Sequence, residues 1–398
     1  MSENDSIRSV ASEATAKRMS RRAFMAGMSV TAAGGSIVLA GCGGGSSGGS
    51  PSTSSSGPAS AGPVEGQLLV YNWAAYDDPK LWKKFTTEQG PKITIDLFDS
   101  NEQAIAKLNA AGVGQSGYDI MCPTGVYIPL MVTQELLQKM DLSRVTNFEN
   151  IDPQYRGQDW DPNNDYSVCK DWGSTGFIYD TTVIQRDLKT WADFVDAMQN
   201  EAKGNTSVLA TPGNLASLYF WTQDPPGDWT TTDEATLNAC GDYVNKEVAP
   251  NVKAYDSYPG INLVQGKYAL SQVWNGDARQ GLNAVKDPER YKWVLGSPVT
   301  EIWMDNWCIV NGAKNINAAY AWINFILDPT NSYTDLQYHG YNTGIGAVKH
   351  LAEQDQVPYL DMIFFTPEQV ATMQAGSIDN IDQLNSIYQS AKAVSAGA

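Results

Sequence analysis

Short apolar runs that alternate with helical segments constrain the fold of this chain more than any other feature. Strand-like runs at Leu68–Trp73, Ile93–Phe98 and Tyr118–Pro123 are separated by helical patterns at Asp78–Glu88 and Asn101–Ala111. Parallel strands need crossover connections, which are usually helices. This order therefore predicts an α/β fold with a mostly parallel sheet and helices on both faces.

The same alternation returns later in the chain. Its predicted elements are strands at Ser207–Thr211, Ala269–Trp274, Tyr291–Leu295 and Ile302–Val310, with helices near Thr190–Ala202, Asp233–Val248 and Ala318–Leu327. Two sets of elements in 398 residues favour two lobes with a cleft between them. Ligands of such folds bind beyond the carboxyl ends of the strands.

The first 65 residues differ from this pattern and predict export. Ser20–Met25 contains Arg21 and Arg22 and resembles a twin-arginine signal, and Leu39–Cys42 resembles the lipobox of bacterial lipoproteins. We therefore interpret residues 1–42 as a signal peptide and Cys42 as the site of lipid attachment; the alternative is a fortuitous cysteine after a small-residue cleavage site. Residues 43–65 are rich in Gly, Ser and Pro and are predicted to be a flexible tether, so that the protein is anchored to a membrane without spanning it.

Composition narrows the function. The chain has 27 Lys and Arg against 44 Asp and Glu, a net charge of −17, which argues against a nucleic-acid partner. With only two histidines it is poorly equipped for His-based triads or multi-His metal sites. It is rich in aromatic residues, with 12 Trp, 19 Tyr and 10 Phe. These numbers favour a protein that holds a ligand, without metal or cofactor, over an enzyme that moves protons.

The predicted strand ends carry aromatic and acidic side chains. The candidate ligand-binding residues there are Trp73, Tyr76, Thr124, Tyr127, Trp274, Asp277, Trp303 and Asp305. Aromatic faces attract cations and cover methylene groups, while a carboxylate forms a charge-assisted hydrogen bond with an ammonium group. The set therefore suits an organic cation. The alternative is that each Trp packs in the core and each Asp lies in a turn or caps a helix.

Several short motifs, taken in order and spacing, resemble the polyamine (spermidine/putrescine) binding proteins of bacterial ABC importers. The resemblance covers nearly all of residues 67–345. Its motifs are Val70-Tyr71-Asn72-Trp73, Ser100-Asn101-Glu102, Tyr118-Asp119-Ile120, Thr146-Asn147-Phe148, Asp161-Pro162-Asn163-Asn164-Asp165-Tyr166-Ser167, Trp274-Asn275-Gly276-Asp277, Trp303-Met304-Asp305 and Ile323-Asn324-Phe325.

The resemblance implies a two-lobed periplasmic-binding-protein fold of type II with its ligand cleft between the lobes. Residues 66–176 and 303–330 would form one lobe, and 177–302 and 331–398 the other. The site residues implied are Trp73, Trp274 and Trp303 as an aromatic box, Tyr76 and Thr124 as polar contacts, Asp305 and Asp277 as countercharges, and Tyr127 and Tyr338 as further lining residues.

The function implied is that of a solute receptor and not of an enzyme. We expect a monomer that is lipid-anchored in the cell envelope, on the periplasmic or extracellular face of the cytoplasmic membrane. It would close on a polyamine by a hinge motion and deliver it to an ABC permease and its ATPase subunit.

Three departures from the family pattern bear on the ligand. Thr211–Asn214 contains no acidic residue where the family has one, Val126 replaces the first of two adjacent aromatics, and Gly340–Thr343 lacks the family proline. A buried diamine needs a countercharge at each end. Either Asp277 and Asp305 supply both, which favours a short diamine, or only one end of the ligand is cationic.

Other functions stay open at this stage. Asp277 and Asp305 could be the carboxylate pair of a carbohydrate-cleft hydrolase, the solute could be neutral, or the chain could be a structural surface lipoprotein. Asp161-x-Asn163-x-Asp165 has the first ligands of a calcium loop but lacks its glycine and glutamate, so a turn is predicted there. Four further cysteines allow two disulfides or buried thiols: Cys122, Cys169, Cys240 and Cys308.

Overall fold

A computed structural model describes residues 63–397 of the chain. The predicted signal peptide, the lipid-attachment residue Cys42 and all but the last three residues of the predicted tether lie outside this range. The strands are β1 (Gln67–Trp73), β2 (Lys92–Phe98), β3 (Ile120–Met121), β4 (Ser167–Asp180), β5 (Thr206–Leu209), β6 (Val252–Asp256), β7 (Leu270–Trp274), β8 (Tyr291–Val294), β9 (Thr300–Ile309) and β10 (Met373–Gln374).

Helices connect and cover these strands. They are α1 (Pro79–Gln89), α2 (Asn101–Ala111), α3 (Ile128–Thr133), α4 (Trp191–Gln199), α5 (Pro212–Trp221), α6 (Glu234–Tyr243), α7 (Pro259–Val264), α8 (Asn275–Ala284), α9 (Ile316–Ile326), α10 (Pro329–His339), α11 (Val348–Gln354), α12 (Pro367–Val370) and α13 (Ile381–Gly397). Within residues 63–397, no helix is both long enough and apolar enough to cross a membrane.

Local signals account for the helices next to the first strands. The side chain of Asp78 accepts a hydrogen bond from the backbone of Lys80 at the start of α1. Ser100 does the same for Gln103 at the start of α2, and Gly112, at φ +90°, ends that helix. The predicted bounds of α2 are confirmed and those of α1 differ by one residue.

The sheet is mixed: it has the expected parallel pairs at both ends and antiparallel pairs, which were not predicted, at its centre. Its order is β2-β1-β3-β9-β4-β7-β5-β6, with β10 beside β9 and β8 beside β4. The strands β1 to β3 pair in parallel, as predicted. In the other half, β5 pairs in parallel with β7 and with β6, a strand that was not predicted. The two long strands β4 and β9 run antiparallel to each other, and β9 to β3 and β4 to β7 as well, so the centre of the sheet is antiparallel.

The strand β4 links the two halves of this sheet and was not predicted. Residues 167–174 pair with β9, whereas residues 175–180 pair with β7 and β8. All fourteen residues are buried, including Lys170 and Asp171. Two adjacent charges inside an otherwise mixed sequence concealed the strand, because buried strands are expected to be apolar.

Separate hydrophobic cores lie in the two halves. The larger contains residues from β1, β9 and α9, and residues between Leu336 and Met373 also belong to it. The second contains residues from β5 and α4 and three residues of α13. The lobe boundaries given above stay a prediction, and this packing divides the C-terminal stretch between the two cores.

Two sequence features have clear structural roles. The carboxylate of Glu65, at the end of the predicted tether, accepts hydrogen bonds from the backbone of Asn317 and Ala318 and so caps α9. Asp161 accepts hydrogen bonds from the backbone of Asp165, Tyr166 and Ser167, which confirms the predicted turn. The four cysteines between residues 63 and 397 are free and buried.

Candidate functional site

A cavity of about 420 Å³ lies at the carboxyl ends of the strands of both halves of the sheet. Its lining includes residues at the ends of β1, β2, β3, β5, β6 and β7, together with residues 301–305 of β9. Eight predicted residues line it: Trp73, Tyr76, Thr124, Tyr127, Trp274, Asp277, Trp303 and Asp305. The structure therefore brings these eight positions together, and their role in binding a ligand stays a prediction.

Tyr338 is the predicted lining residue that lies elsewhere. It is half-buried on α10 and is not among the residues that line the cavity. Its pKa is raised by burial and by the nearby charges of Asp78, Asp77 and Asp335. Tyr341, three residues further on, lines the cavity instead. The loop after α10 therefore lies next to the cavity, but Tyr341 lines the cavity in place of Tyr338.

Asp305 lies deep in the cavity and shares a tyrosine with a second carboxylate. The hydroxyl of Tyr76 lies 2.7 Å from Asp305 Oδ2 and 2.5 Å from Asp171 Oδ1. A phenol has one hydrogen, so it donates to only one of the two carboxylates at a time. The other oxygen of Asp305, Oδ1, is buried and accepts no hydrogen bond of good geometry from residues 63–397.

The environment of Asp305 disfavours its charged form. Burial raises its pKa to about 7, the charge of Asp171 adds to the rise, and Thr124, Tyr76 and Lys170 oppose it. No cation of the described chain forms a salt bridge with it. Asp305 is therefore a carboxylate whose ionisation would be strongly favoured by an added positive charge.

Thr124 and Tyr127 are held on the same wall by the start of α2. The Asn101 side chain donates to Thr124 Oγ1 at 2.9 Å and accepts from the Thr124 backbone at 3.0 Å. The hydroxyl of Tyr127 donates to Glu102 Oε1 at 2.5 Å. Both predicted residues are thus fixed by the Ser100-Asn101-Glu102 motif noted in the sequence.

The tryptophan side chains are also held in place. Trp73 Nε1 donates to the carbonyl oxygen of Cys122 at 2.9 Å, and its ring centroid lies 4.3 Å from that of Phe98. Trp303 packs edge-on against Tyr341, with centroids 4.9 Å apart. A Cβ on Gly173 would come within 2.5 Å of the Trp303 ring, so glycine is required at this strand position.

Asp277 lies in the first turn of α8, on the wall opposite β1. It accepts a hydrogen bond from the hydroxyl of Tyr341 at 2.5 Å. Burial raises its pKa to about 6, while Tyr341 and the backbone of Gly260 oppose the rise. Tyr341 therefore connects Asp277 to the ring of Trp303.

The sequence analysis missed a third carboxylate in the cavity, Glu301. Its Oε2 accepts hydrogen bonds from Thr175 Oγ1 at 2.6 Å and from Asn214 Nδ2 at 2.7 Å. Burial raises its pKa, and the groups that oppose the rise are Thr175 and Asn214 rather than a cation. Period-two spacing could have revealed it, since Glu301, Trp303 and Asp305 alternate along one strand.

A second acidic cluster, behind the cavity, was also missed. Lys170 Nζ donates to Asp171 Oδ2 at 3.0 Å, to Asp335 Oδ2 at 3.4 Å and to the carbonyl oxygen of Tyr76 at 3.0 Å, and lies 3.4 Å from Asp77 Oδ1. All three carboxylates are buried. We call this group the Lys170 cluster: Lys170, Asp77, Asp171 and Asp335.

The lining of the cavity suits the binding of an organic cation. Besides the exposed Asp99 and Asp159 and the Tyr127-bound Glu102, its lining includes Asp277, Glu301 and Asp305, which have no salt-bridge partner in the described chain. Together with several aromatic faces, these carboxylates attract ammonium groups and cover methylenes. In the part of the chain that the structure describes, no group of three His, Cys, Asp or Glu side chains is arranged to hold a metal ion.

Comparisons with known proteins agree with this chemistry. The family described as bacterial extracellular solute-binding protein matches residues 80–341. The spermidine/putrescine-binding periplasmic protein of Salmonella typhimurium is 33% identical over 277 residues, which are 69% of this chain and 77% of that protein. The putrescine/agmatine-binding protein of Pseudomonas aeruginosa is 26% identical over 336 residues, or 79% of this chain and 88% of that protein.

Solved structures show the same fold. The spermidine/putrescine ABC transporter substrate-binding protein of Streptococcus pneumoniae superposes with a TM-score of 0.68 at 26% identity. The match covers 83% of this chain and all of that chain. The two-lobed type II fold expected from the sequence is confirmed.

Proposed function

Because this chain belongs to the bacterial extracellular solute-binding proteins, we propose that it is the receptor of an ABC importer and binds a polyamine-like organic cation in the cavity. The observation that carries the proposal is a set of three cavity carboxylates, Asp277, Asp305 and Glu301, without a salt-bridge partner in the described chain. The names of the relatives, which bind spermidine, putrescine or agmatine, support the same ligand class.

One ammonium group of the ligand binds at Asp305. The buried Oδ1 of Asp305 has room for a donor, since it accepts no other good hydrogen bond from residues 63–397. A charge-assisted hydrogen bond there would favour the ionised carboxylate and release its proton. Tyr76 and Thr124 line the cavity beside it and add polar contacts.

The methylene chain of the ligand lies among Trp73, Trp274 and Trp303. Aromatic rings attract the cation by about 0.5–2 kcal/mol each and exclude water from the methylenes. The close packing of Trp303 against Gly173 and Tyr341 fixes one wall before the ligand arrives. Preorganised rings lose little conformational entropy on binding.

The receptor works at the membrane surface and performs no chemical reaction on its ligand. Its lipid anchor is Cys42 and its export signal is residues 1–42, both outside the described residues. The tether lets a monomeric body reach the permease, and its two lobes, with the boundaries predicted above, close on the ligand by a hinge motion.

Titration calorimetry with putrescine, spermidine and agmatine tests the ligand class. We expect saturable binding of at least one of these amines, and no binding of glucose or glycerol, which carry no cation. Absence of binding across the amine panel would overturn the polyamine proposal. Turnover of an oligosaccharide that is lost in Asp277→Asn would instead support the hydrolase alternative.

A further inference from the structure

Glu301 presents one free oxygen to the cavity. Both of its hydrogen bonds end on Oε2, while Oε1 accepts none from residues 63–397. The two donors, Thr175 and Asn214, are neutral, so they orient the carboxylate without cancelling its charge. This is the geometry of a carboxylate that is held in place and still able to accept a hydrogen bond from a ligand.

Glu301 lies where the loop after β5 lacks an acidic residue. That loop, Thr211–Asn214, lines the cavity, and its Asn214 donates to Glu301 at 2.7 Å. Thr211 Oγ1 in turn donates to Asn214 Oδ1 at 2.7 Å, which orients the amide. A negative charge is therefore supplied to this end of the cavity by β9 instead of by the loop.

The spacing along β9 sets the distance between the two ends. Glu301, Trp303 and Asp305 all line the cavity, and alternate residues of a strand share one face. Four residues of strand separate the Cα atoms of Glu301 and Asp305 by about 13 Å. The ring of Trp303 lies between the two carboxylates.

Side chains stand roughly perpendicular to a sheet, so the carboxylates of Glu301 and Asp305 are separated by about the same distance as their Cα atoms, which favours a long ligand over a short diamine. Each bond of an extended chain advances about 1.25 Å, given bond lengths near 1.5 Å. The two nitrogens of putrescine, five bonds apart, are thus separated by about 6 Å, and the terminal nitrogens of spermidine, nine bonds apart, by about 11 Å. A hydrogen bond of about 2.8 Å at each end extends these spans to about 12 Å and about 17 Å, so spermidine can bridge the separation while fully extended putrescine falls short of it.

We propose that Glu301 binds the second terminal ammonium group and makes the receptor prefer long linear polyamines over short diamines. This inference rests on the proposed function and specifies its ligand. Asp277 is linked to the Trp303 ring through Tyr341 and so lies beside the middle of the set formed by Glu301, Trp303 and Asp305. It accepts a hydrogen bond from the central amine of a triamine.

Calorimetry with three ligands and matched variants tests this assignment. Spermidine and 1,8-diaminooctane have terminal nitrogens nine bonds apart, and putrescine has them five bonds apart. We expect the unmodified protein to bind both long ligands at least about tenfold more tightly than putrescine. Glu301→Gln keeps the hydrogen bonds from Thr175 and Asn214; it should weaken both long ligands by about 30-fold or more and putrescine by less than about threefold.

Controls separate the possible failures. Asp305→Asn should weaken all three ligands, and Glu353→Gln, on the exposed face of α11, should weaken none. Glu301→Asp retracts the charge by one methylene and should shift the preferred diamine toward 1,9-diaminononane, which tests the assignment even if Glu301→Gln were poorly folded. Glu301 is not the second site if the unmodified protein binds amines and Glu301→Gln weakens the binding of long and short ligands equally. The same conclusion follows if Glu301→Gln weakens the binding of neither. If the unmodified protein binds no amine, the proposed function itself is overturned.

Discussion

Two groups of buried carboxylates lie on either side of Tyr76, and they differ in whether a cation of the described chain is paired with them. The Lys170 cluster contains three aspartates around a lysine whose three ammonium hydrogens each have an acceptor. The cavity also contains three carboxylates, Asp277, Asp305 and Glu301, but none forms a salt bridge with a cation of the described chain. Tyr76 connects the groups, because its hydroxyl lies against Asp171 in one and Asp305 in the other.

The difference distinguishes charges that serve the fold from charges that serve a ligand. A buried ion is expensive unless it is paired. In the Lys170 cluster the pairing is intramolecular but incomplete, because one lysine lies among three aspartates and burial raises the pKa of Asp77 to about 8. In the cavity the cost is met by proton uptake, since burial raises the pKa values of Asp305 and Asp277 to about 7 and about 6. An arriving cation can replace those protons.

Removal of the lysine should produce the largest effect on stability. Lys170→Met keeps the length of the side chain but leaves Asp77, Asp171 and Asp335 without their buried cation. We expect the free energy of unfolding, measured with urea, to fall by about 3–5 kcal/mol. Lys349→Met is the control, because its ion pair with Glu353 is exposed and contributes less than about 1 kcal/mol. Equal losses of unfolding free energy in the two variants would show that the Lys170 cluster does not stabilise the fold.

Removal of a cavity charge should affect binding and spare the fold. Asp305→Asn leaves a ligand ammonium without its partner, and we expect amine binding to weaken by about 2–5 kcal/mol in calorimetry. Urea unfolding of the ligand-free variant should show no loss of stability at pH 8, because an uncompensated charge has been removed. A loss as large as that of Lys170→Met, or an unchanged affinity, would contradict the distinction between the two groups.

The pH dependence of binding should follow Asp305. The pKa of the empty site is about 7, and a bound ammonium lowers it, so binding releases a proton below that pH. We expect the affinity to fall by up to about tenfold per pH unit as the pH drops from 7 toward 5. Titrations in buffers with different ionisation enthalpies measure the released proton. An affinity that stays constant over this range would mean that Asp305 is already ionised in the empty cavity.

The same shift affects the stability of the ligand-free protein in the opposite direction. The folded-state pKa of Asp305, about 7, lies above the ordinary value of 3.8, so the folded protein holds this proton more tightly than the unfolded chain does. Its contribution to stability is therefore lost as the pH rises from about 4 to about 7. Asp305→Asn should reduce this decline, as measured by urea unfolding across that range.

The aromatic wall should give the smallest effect. Trp303→Leu keeps an apolar side chain but removes the ring quadrupole, and we expect amine affinity to fall by about 1–2 kcal/mol. Trp303→Phe retains a ring and should lose less. If leucine and phenylalanine weaken binding equally, the ring acts only through the area that it covers.

Much of the fold could be predicted because local signals suffice for its outer elements. The cap at Ser100 and the positive φ of Gly112 define α2, and the apolar run of β1 is visible in the sequence. β4 was missed because it contains Lys170, whose charge is compensated by Asp77 and Asp335, far away in the chain, as well as by the adjacent Asp171. Such long-range compensation has no local signature.

The site was predictable where a side chain follows a strand directly. Trp73 and Thr124 are of this kind, and Asp305 lies within a strand that the sequence analysis identified. Glu301 was missed because it is the second residue of the same strand and lies one residue before the predicted start at Ile302. Tyr341 was missed because the path of the loop after α10 depends on packing: a Cβ on Gly276 would come within 2.5 Å of its ring.

The change of partners within β4 has a mechanical consequence. Ser174 is the last residue in register with β9, and Thr175 is the first in register with β7. A change in the angle between the two halves of the sheet would act as a torsion on this single peptide. Thr175 donates a hydrogen bond to the carboxylate of Glu301, and Gly173 packs against the ring of Trp303. Rotation at this peptide would therefore move these two cavity side chains at the same time as the two halves of the sheet separate.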